Sequence, residues 1–147
     1  MSFRKSDNFV PEGYSEVCPY LVVESVEKEI EFLEKVFNAV RKDVLKNPQG
    51  IIQHGEVRIG EIVIIIGRAD TSSQPGQAMN CIYVRNTDEV YEHALKLGAT
   101  SVEKPDDKFY GYREAAIKDP HGYTWFIAQF LKLVSHEDME KALANRK

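Results

Sequence analysis

The chain reads as an α+β fold in which two βαβββ modules pair into a curved eight-stranded mixed sheet, with helices on the convex side and a short helix at the C-terminus. Three observations carry that reading. The pattern runs strand, helix and three strands, and then repeats in the same order. A shift of 61 residues lays Leu21-Val22-Val23 on Ile82-Tyr83-Val84, Ser25 on Asn86 and Leu33 on Ala94. Lastly, Lys118-Asp119-Pro120-His121-Gly122-Tyr123 is a tight turn between apolar runs at 115–117 and 125–128, which makes a β-hairpin. A module of this kind cannot bury both faces of its own sheet, so the two should join edge to edge and enclose a cavity on the concave side.

In order, residues 1–16 are polar with Gly and Pro and read as a loose arm. The valine-rich run 17–23 is a strand, after which Ser25 is placed to cap a helix. Val26, Ile30, Leu33, Phe37 and Val40 recur at helical spacing, with Glu27, Lys28, Glu31, Glu34 and Lys35 on the other face. A short strand at 42–46, the turn Asn47-Pro48-Gln49-Gly50 and strands at 51–59 and 61–66 complete module 1, about 15–68. The segment 69–77 is a connector. Module 2, about 78–130, opens with a strand at 79–84 and a helix capped by Asn86 or Thr87, with Val90, Ala94 and Leu97 on one face and Gly98 at its end. A strand at 100–103, a loop at 105–111 and the closing hairpin follow. Residues 134–147 form a helical tail capped by Ser135, with Met139, Ala142 and Leu143 on one side. All of this is expected to form a single domain.

With 147 residues, 43% of them hydrophobic and 29% charged, the chain can build a core without disulfides. A net charge of -4 and the lack of a Lys/Arg stripe argue against nucleic acid as a partner and favour a neutral or cationic small molecule. No apolar run follows Met1 to serve as a leader or a membrane span, so the expected location is cytoplasmic. Cys18 and Cys81 belong to no Cys-x-x-Cys pair and read as small, buried, reduced side chains.

The closing hairpin, with Gly111-Tyr112-Arg113 leading through a short strand into Asp119-Pro120-His121-Gly122-Tyr123, resembles that of the glyoxalase, bleomycin-resistance and extradiol-dioxygenase superfamily, the vicinal oxygen chelate fold. The likeness covers roughly 15–130. Pro19-Tyr20-Leu21-Val22-Val23, His54-Gly55-Glu56-Val57-Arg58-Ile59-Gly60 and the tail Ser135-His136-Glu137-Asp138 resemble a branch of small bacterial proteins described as glyoxalase-like or bleomycin-resistance-like. The resemblance implies a homodimer. It also implies a divalent metal held by His and Glu side chains from the first, fourth, fifth and eighth strands. The corresponding residues here are Cys18, Ile64 or Ile65, Met79 and Phe126, and they offer no hard donor set. The expectation is therefore no metal and no cofactor.

Strand alternation nominates the residues that line the cavity instead. Tyr20, His54, Glu56, Met79, Tyr83 and Phe126 point inward, with Tyr110 and Tyr112 at the lip, giving an aromatic pocket with few fixed charges. His54 and Glu56 share a strand face and could act as a base and its orienter, or could be an exposed edge. Trp125 should face the helix layer. Arg113 is expected to clamp the turn through Asp119, and His93, His121 and His136 to lie at the surface. The leading reading is a protein that binds a small organic ligand in a metal-free concave pocket. The alternatives are a metal-dependent lyase, isomerase or dioxygenase of the same superfamily, and a structural or interaction domain with a filled core.

Overall fold

A computed structural model describes residues 11–15, 17–71 and 78–145. The elements run β1 (Tyr20–Val23), α1 (Val26–Phe37), β2 (Val40–Lys46), β3 (Ile52–Ile59), β4 (Ile62–Arg68), β5 (Met79–Tyr83), α2 (Thr87–Lys96), β6 (Thr100–Asp107), β7 (Tyr112–Lys118), β8 (Thr124–Phe130) and α3 (His136–Ala144). They divide between two compact units, Met1–Gly76 and Gln77–Lys147. Each unit is a βαβββ module with a four-stranded mixed sheet, ordered β1-β4-β3-β2 in the first and β5-β8-β7-β6 in the second. The first strand of each module lies parallel to its last, and the remaining pairs are antiparallel. Among the described residues no helix is long and apolar enough to cross a membrane.

In the first module the Ser25 hydroxyl accepts from Lys28 N at the start of α1. The helix ends at Asn38, whose φ of 57° is left-handed, and the Ala39 amide turns back to donate to Leu33 O at 3.2 Å. Val40, which fits the helical spacing, therefore opens β2 instead. The buried row of α1, Val26, Ile30, Leu33 and Phe37, covers Leu21, Val23, Val57, Ile64 and Ile66 of the sheet. A Cβ at Gly55 would stand 2.8 Å from Ile30 Cδ1, so this glycine lets the helix lie close. Arg41 ties the edge strand to α1 through Glu27 at 2.8 Å and Glu34 at 3.0 Å. β1 begins at Tyr20, three residues later than the valine-rich run implies.

In the second module Asn86 caps α2 by accepting from Glu89 N at 3.1 Å. Thr87 is buried: its amide donates to Gln129 Oε1 and its hydroxyl to Arg113 O, fastening α2 to the sheet. Tyr91, Ala94, Ala115, Ile117, Trp125 and Ile127 form the core beneath the helix. Strand β6 runs through Pro105 to Asp107, where a loop was expected. Proline is tolerated because β6 is an edge strand, and the register shifts between Ser101 and Glu103 and between Glu103 and Asp106. The tail helix α3 is capped by Ser135 and buries no residue.

The hairpin turn depends on Asp119, which is 4% exposed. Its Oδ1 accepts from the His121 and Tyr123 amides at 2.9 and 3.1 Å, and its Oδ2 accepts from Trp125 Nε1 at 2.9 Å. Trp125 thus lies in the helix-side core, as alternation requires. Arg113 does not clamp Asp119. It lies on the helix-side row of β7, beside the start of α2, and pairs with Asp88 at 2.6 Å and Asp107 at 3.0 Å. Replacing Asp119 with Ala would strand the indole N–H and two backbone donors in a buried turn. Asp119→Ala is expected to cost about 3 kcal/mol or more, and Asp119→Asn less, measured by urea unfolding.

Candidate functional site

A sheet covered by a helix on one side delivers every second residue of each strand to the other side. In the second module the pairs Met79–Thr124, Cys81–Phe126, Tyr83–Ala128, Glu114–Ala128 and Tyr112–Phe130 place Met79, Cys81, Tyr83, Tyr112, Glu114, Phe126 and Phe130 on this helix-free face. Met79 and Tyr83 are 69% and 63% exposed. Tyr112 stands at the centre of an aromatic array, edge-to-face with Tyr83 at 5.7 Å and Tyr110 at 5.6 Å and tilted against Phe130 at 5.9 Å between ring centroids.

The turn that feeds this array is set by Gly111, with φ of 95°. Its carbonyl accepts from the Leu131 and Lys132 amides, and an added Cβ would fall 2.1 Å from Lys132 O. Tyr110 and Tyr112 therefore flank a position that only glycine can fill. Tyr110 Oη donates to Glu114 Oε1 at 2.7 Å. Burial, and then that bond, push the Tyr110 phenol far above its ordinary range. Partial burial and the Glu114 carboxylate raise the Cys81 thiol as well, and a bond with Tyr112 raises Tyr83. With Cys81, Tyr83 and Tyr110 all raised, and Glu103, Asp106 and Glu114 on the same row, the face suits gripping a ligand better than attacking it. Cys81 is exposed rather than buried as expected, because it lies on this open row; Cys18 is half-buried.

In the first module the corresponding face carries Tyr20, His54, Glu56 and Ile65. The Tyr20 hydroxyl lies over Gly67, where a Cβ would come within 2.7 Å of it, and its ring is 6.4 Å from that of His54. His54 Nε2 is 4.0 Å from Glu56 Oε2, an ion-pair distance too long for a hydrogen bond. Glu56 is engaged instead by Tyr14, whose Oη donates to Oε1 and whose ring lies under Lys42 Nζ at 4.1 Å. Tyr14 belongs to the arm that sequence alone reads as loose, and no periodicity marks it. Of the residues nominated from sequence, Tyr20, His54 and Glu56 come together on one module, and Met79, Tyr83, Tyr110, Tyr112 and Phe126 on the other. Glu114 and Phe130 were missed, although the spacing of two from Tyr112 and from Ala128 identifies their row.

The family model described as the glyoxalase, bleomycin resistance protein and dioxygenase superfamily matches residues 15–127. The chain belongs to that superfamily. An uncharacterised protein of Mycobacterium bovis is 27% identical over 141 residues, spanning 88% of this chain and 93% of its own. Among solved structures, TioX from Micromonospora sp. ML1 is similar with a TM-score of 0.67 at 20% identity, covering 80% of this chain and 99% of that one. The fosfomycin resistance protein FosX from Listeria monocytogenes, solved with Mn(II) and sulfate, has a TM-score of 0.62 at 17% identity, covering 86% and 97%. Both likenesses show the fold.

Superfamily metal chemistry, as the resemblance implies it, needs carboxylate and imidazole donors at positions in the first, fourth, fifth and eighth strands, whereas His54, Glu56 and Glu114 lie on β3 and β7. Tyr20 pairs with Ile65 in the first module and Cys81 with Phe126 in the second, partners that coincide under the 61-residue shift. Of the two isoleucines it is thus Ile65 that corresponds, with Cys18 in the same module, to a position the resemblance implies; Met79 and Phe126 correspond in the second module. A thiol, a thioether and two hydrocarbons do not fit a hard divalent ion.

Two outcomes follow for the aromatic face. Gly111→Ala should destabilise the chain by roughly 3 kcal/mol, seen by thermal unfolding, because both the backbone angle and Lys132 O forbid the methyl group. Folding raises the Tyr110 pKa above the ordinary 10.0, so its contribution to stability is complete below pH 10 and is lost as pH climbs through the higher folded value. Glu114→Gln should move that loss to lower pH in a spectrophotometric phenolate titration.

Proposed function

We propose that the helix-free face of the second module binds a small, flat organic molecule with a cationic or hydrogen-donating group, without a resident metal. One observation carries this: Tyr83, Tyr110, Tyr112 and Phe130 form an aromatic array beside the carboxyl group of Glu114, with Met79 and Phe126 on the same face and Glu103 and Asp106 on its edge strand. Rings supply stacking area at low entropic cost, and Glu114 supplies orientation and a charge preference. On the first module, Tyr20, His54 and Glu56 make a more polar patch. Membership of a superfamily that includes bleomycin resistance proteins supports ligand capture as the activity. A cytoplasmic homodimer acting as one domain is part of the same proposal, on the family resemblance.

The second reading, a metal-dependent lyase, isomerase or dioxygenase, draws on the Mn(II) of the Listeria FosX structure. The donor set Cys18, Ile65, Met79 and Phe126 weighs against it. A filled, purely structural core is disfavoured by the exposure of Met79 and Tyr83.

Isothermal titration calorimetry distinguishes these. Bleomycin, which joins a cationic tail to flat heteroaromatic rings, is expected to bind, whereas the small anion fosfomycin is not. Tyr112→Ala or Glu114→Gln should weaken bleomycin about tenfold, or about 1.4 kcal/mol. Elemental analysis of untagged protein should find far less than one divalent ion per chain. A stoichiometric zinc, nickel, iron or manganese would overturn the metal-free reading.

A further inference from the structure

The first module's helix-free face presents a different chemistry. Glu56 is only 14% exposed at its side chain, in the middle strand pair, with His54 beside one oxygen at 4.0 Å. Its other oxygen accepts from the phenol of Tyr14. Lys42, from edge strand β2, places its ammonium 4.1 Å above the same ring. Tyr20 is held aside over Gly67, where the lack of a side chain gives its hydroxyl room. The face therefore holds an acceptor for an aromatic hydroxyl and a cation for the ring behind it, already gripping a phenol.

That phenol is not part of the sheet. Tyr14 precedes β1, and its amide donates to Pro11 O at 3.1 Å. The next residue, Ser15, donates to Val17 O, two residues away. Cys18 Sγ also donates to Ser15 O at 3.5 Å, and Tyr14 meets the face through its ring. Both contacts that hold the ring are ones a free hydroxyarene can reproduce, since a carboxylate takes the strongest bond from a phenolic O–H and an ammonium favours any electron-rich ring.

We propose that the helix-free face of the first module is a binding site for a hydroxyaromatic ligand, in whose place Tyr14 of the same chain stands. Glu56 takes the ligand hydroxyl, Lys42 covers its ring, and Tyr20 and His54 border it. Binding is a competition between the ligand and the tethered tyrosine, so the free-ligand affinity is set by how readily the Tyr14 ring is displaced.

The test uses the full chain with 4-methylphenol as probe and toluene as the matched arene without a hydroxyl, each titrated by calorimetry and by ligand-observed NMR. Tyr14→Ala is expected to bind 4-methylphenol at least tenfold more tightly than the unaltered chain, and to prefer it to toluene by a similar factor. Tyr14→Phe, which keeps the ring but loses the bond to Glu56, should show a smaller gain and serves if the alanine variant is poorly folded. Adding Glu56→Gln to either variant should erase most of the preference over toluene. The gain on Tyr14→Ala should persist in a Tyr112→Ala background, which keeps this site distinguishable from the aromatic face. Equal affinity in the unaltered and Tyr14 variants would overturn the proposal, as would equal binding of 4-methylphenol and toluene.

Discussion

The chain is organised by one constraint: a four-stranded sheet with a single helix must place one row of every strand beneath that helix, and the two-residue side-chain period then commits the other row to the opposite face. In the first module Leu21, Val23, Val57, Ile64 and Ile66 go under α1. Tyr20, His54, Glu56 and Ile65 have no choice but to face away. In the second, Trp125, Ile127, Ala115 and Ile117 go under α2, and Cys81, Tyr112, Glu114 and Phe126 face away. The chemistry of the open faces follows from packing requirements on the covered ones, enforced by Gly55 below one helix and by the Asp119–Trp125 hydrogen bond below the other.

This is why so much of the architecture can be read from residues alone. The hairpin turn, the two helix caps at Ser25 and Asn86, and the 61-residue repeat are local signals with local causes. The failures also have local causes. Val40 continues the apolar spacing of α1, yet the left-handed backbone of Asn38 ends the helix before it. Pro105 reads as a loop marker, yet an outer strand can carry it because one edge has no partner to satisfy.

The candidate sites were legible to the degree that they obey alternation. Tyr20, His54, Glu56, Met79, Tyr83 and Phe126 lie on the rows that a two-residue period assigns them, whereas Tyr112, read as part of a loop lip, opens β7. Interactions between distant segments left no such trace. Tyr14 meets Glu56 across 42 positions, and Arg113 meets Asp88 across 25, so the partner of neither could be chosen from spacing. Cysteine usually reads as a core residue, yet the two-residue period that sets Met79 and Tyr83 on the open row sets Cys81 there as well, and the register of β5 against β8 agrees.

The irregular outer strand of the second module has a bearing on solubility. A straight strand with unpaired amides is a template on which other chains can add, and the growth of fibrillar aggregates begins in that way. With a proline in its middle and two interruptions of its ladder, β6 offers a broken template. That edge is poorly suited to recruiting foreign strands, although it borders an aromatic surface.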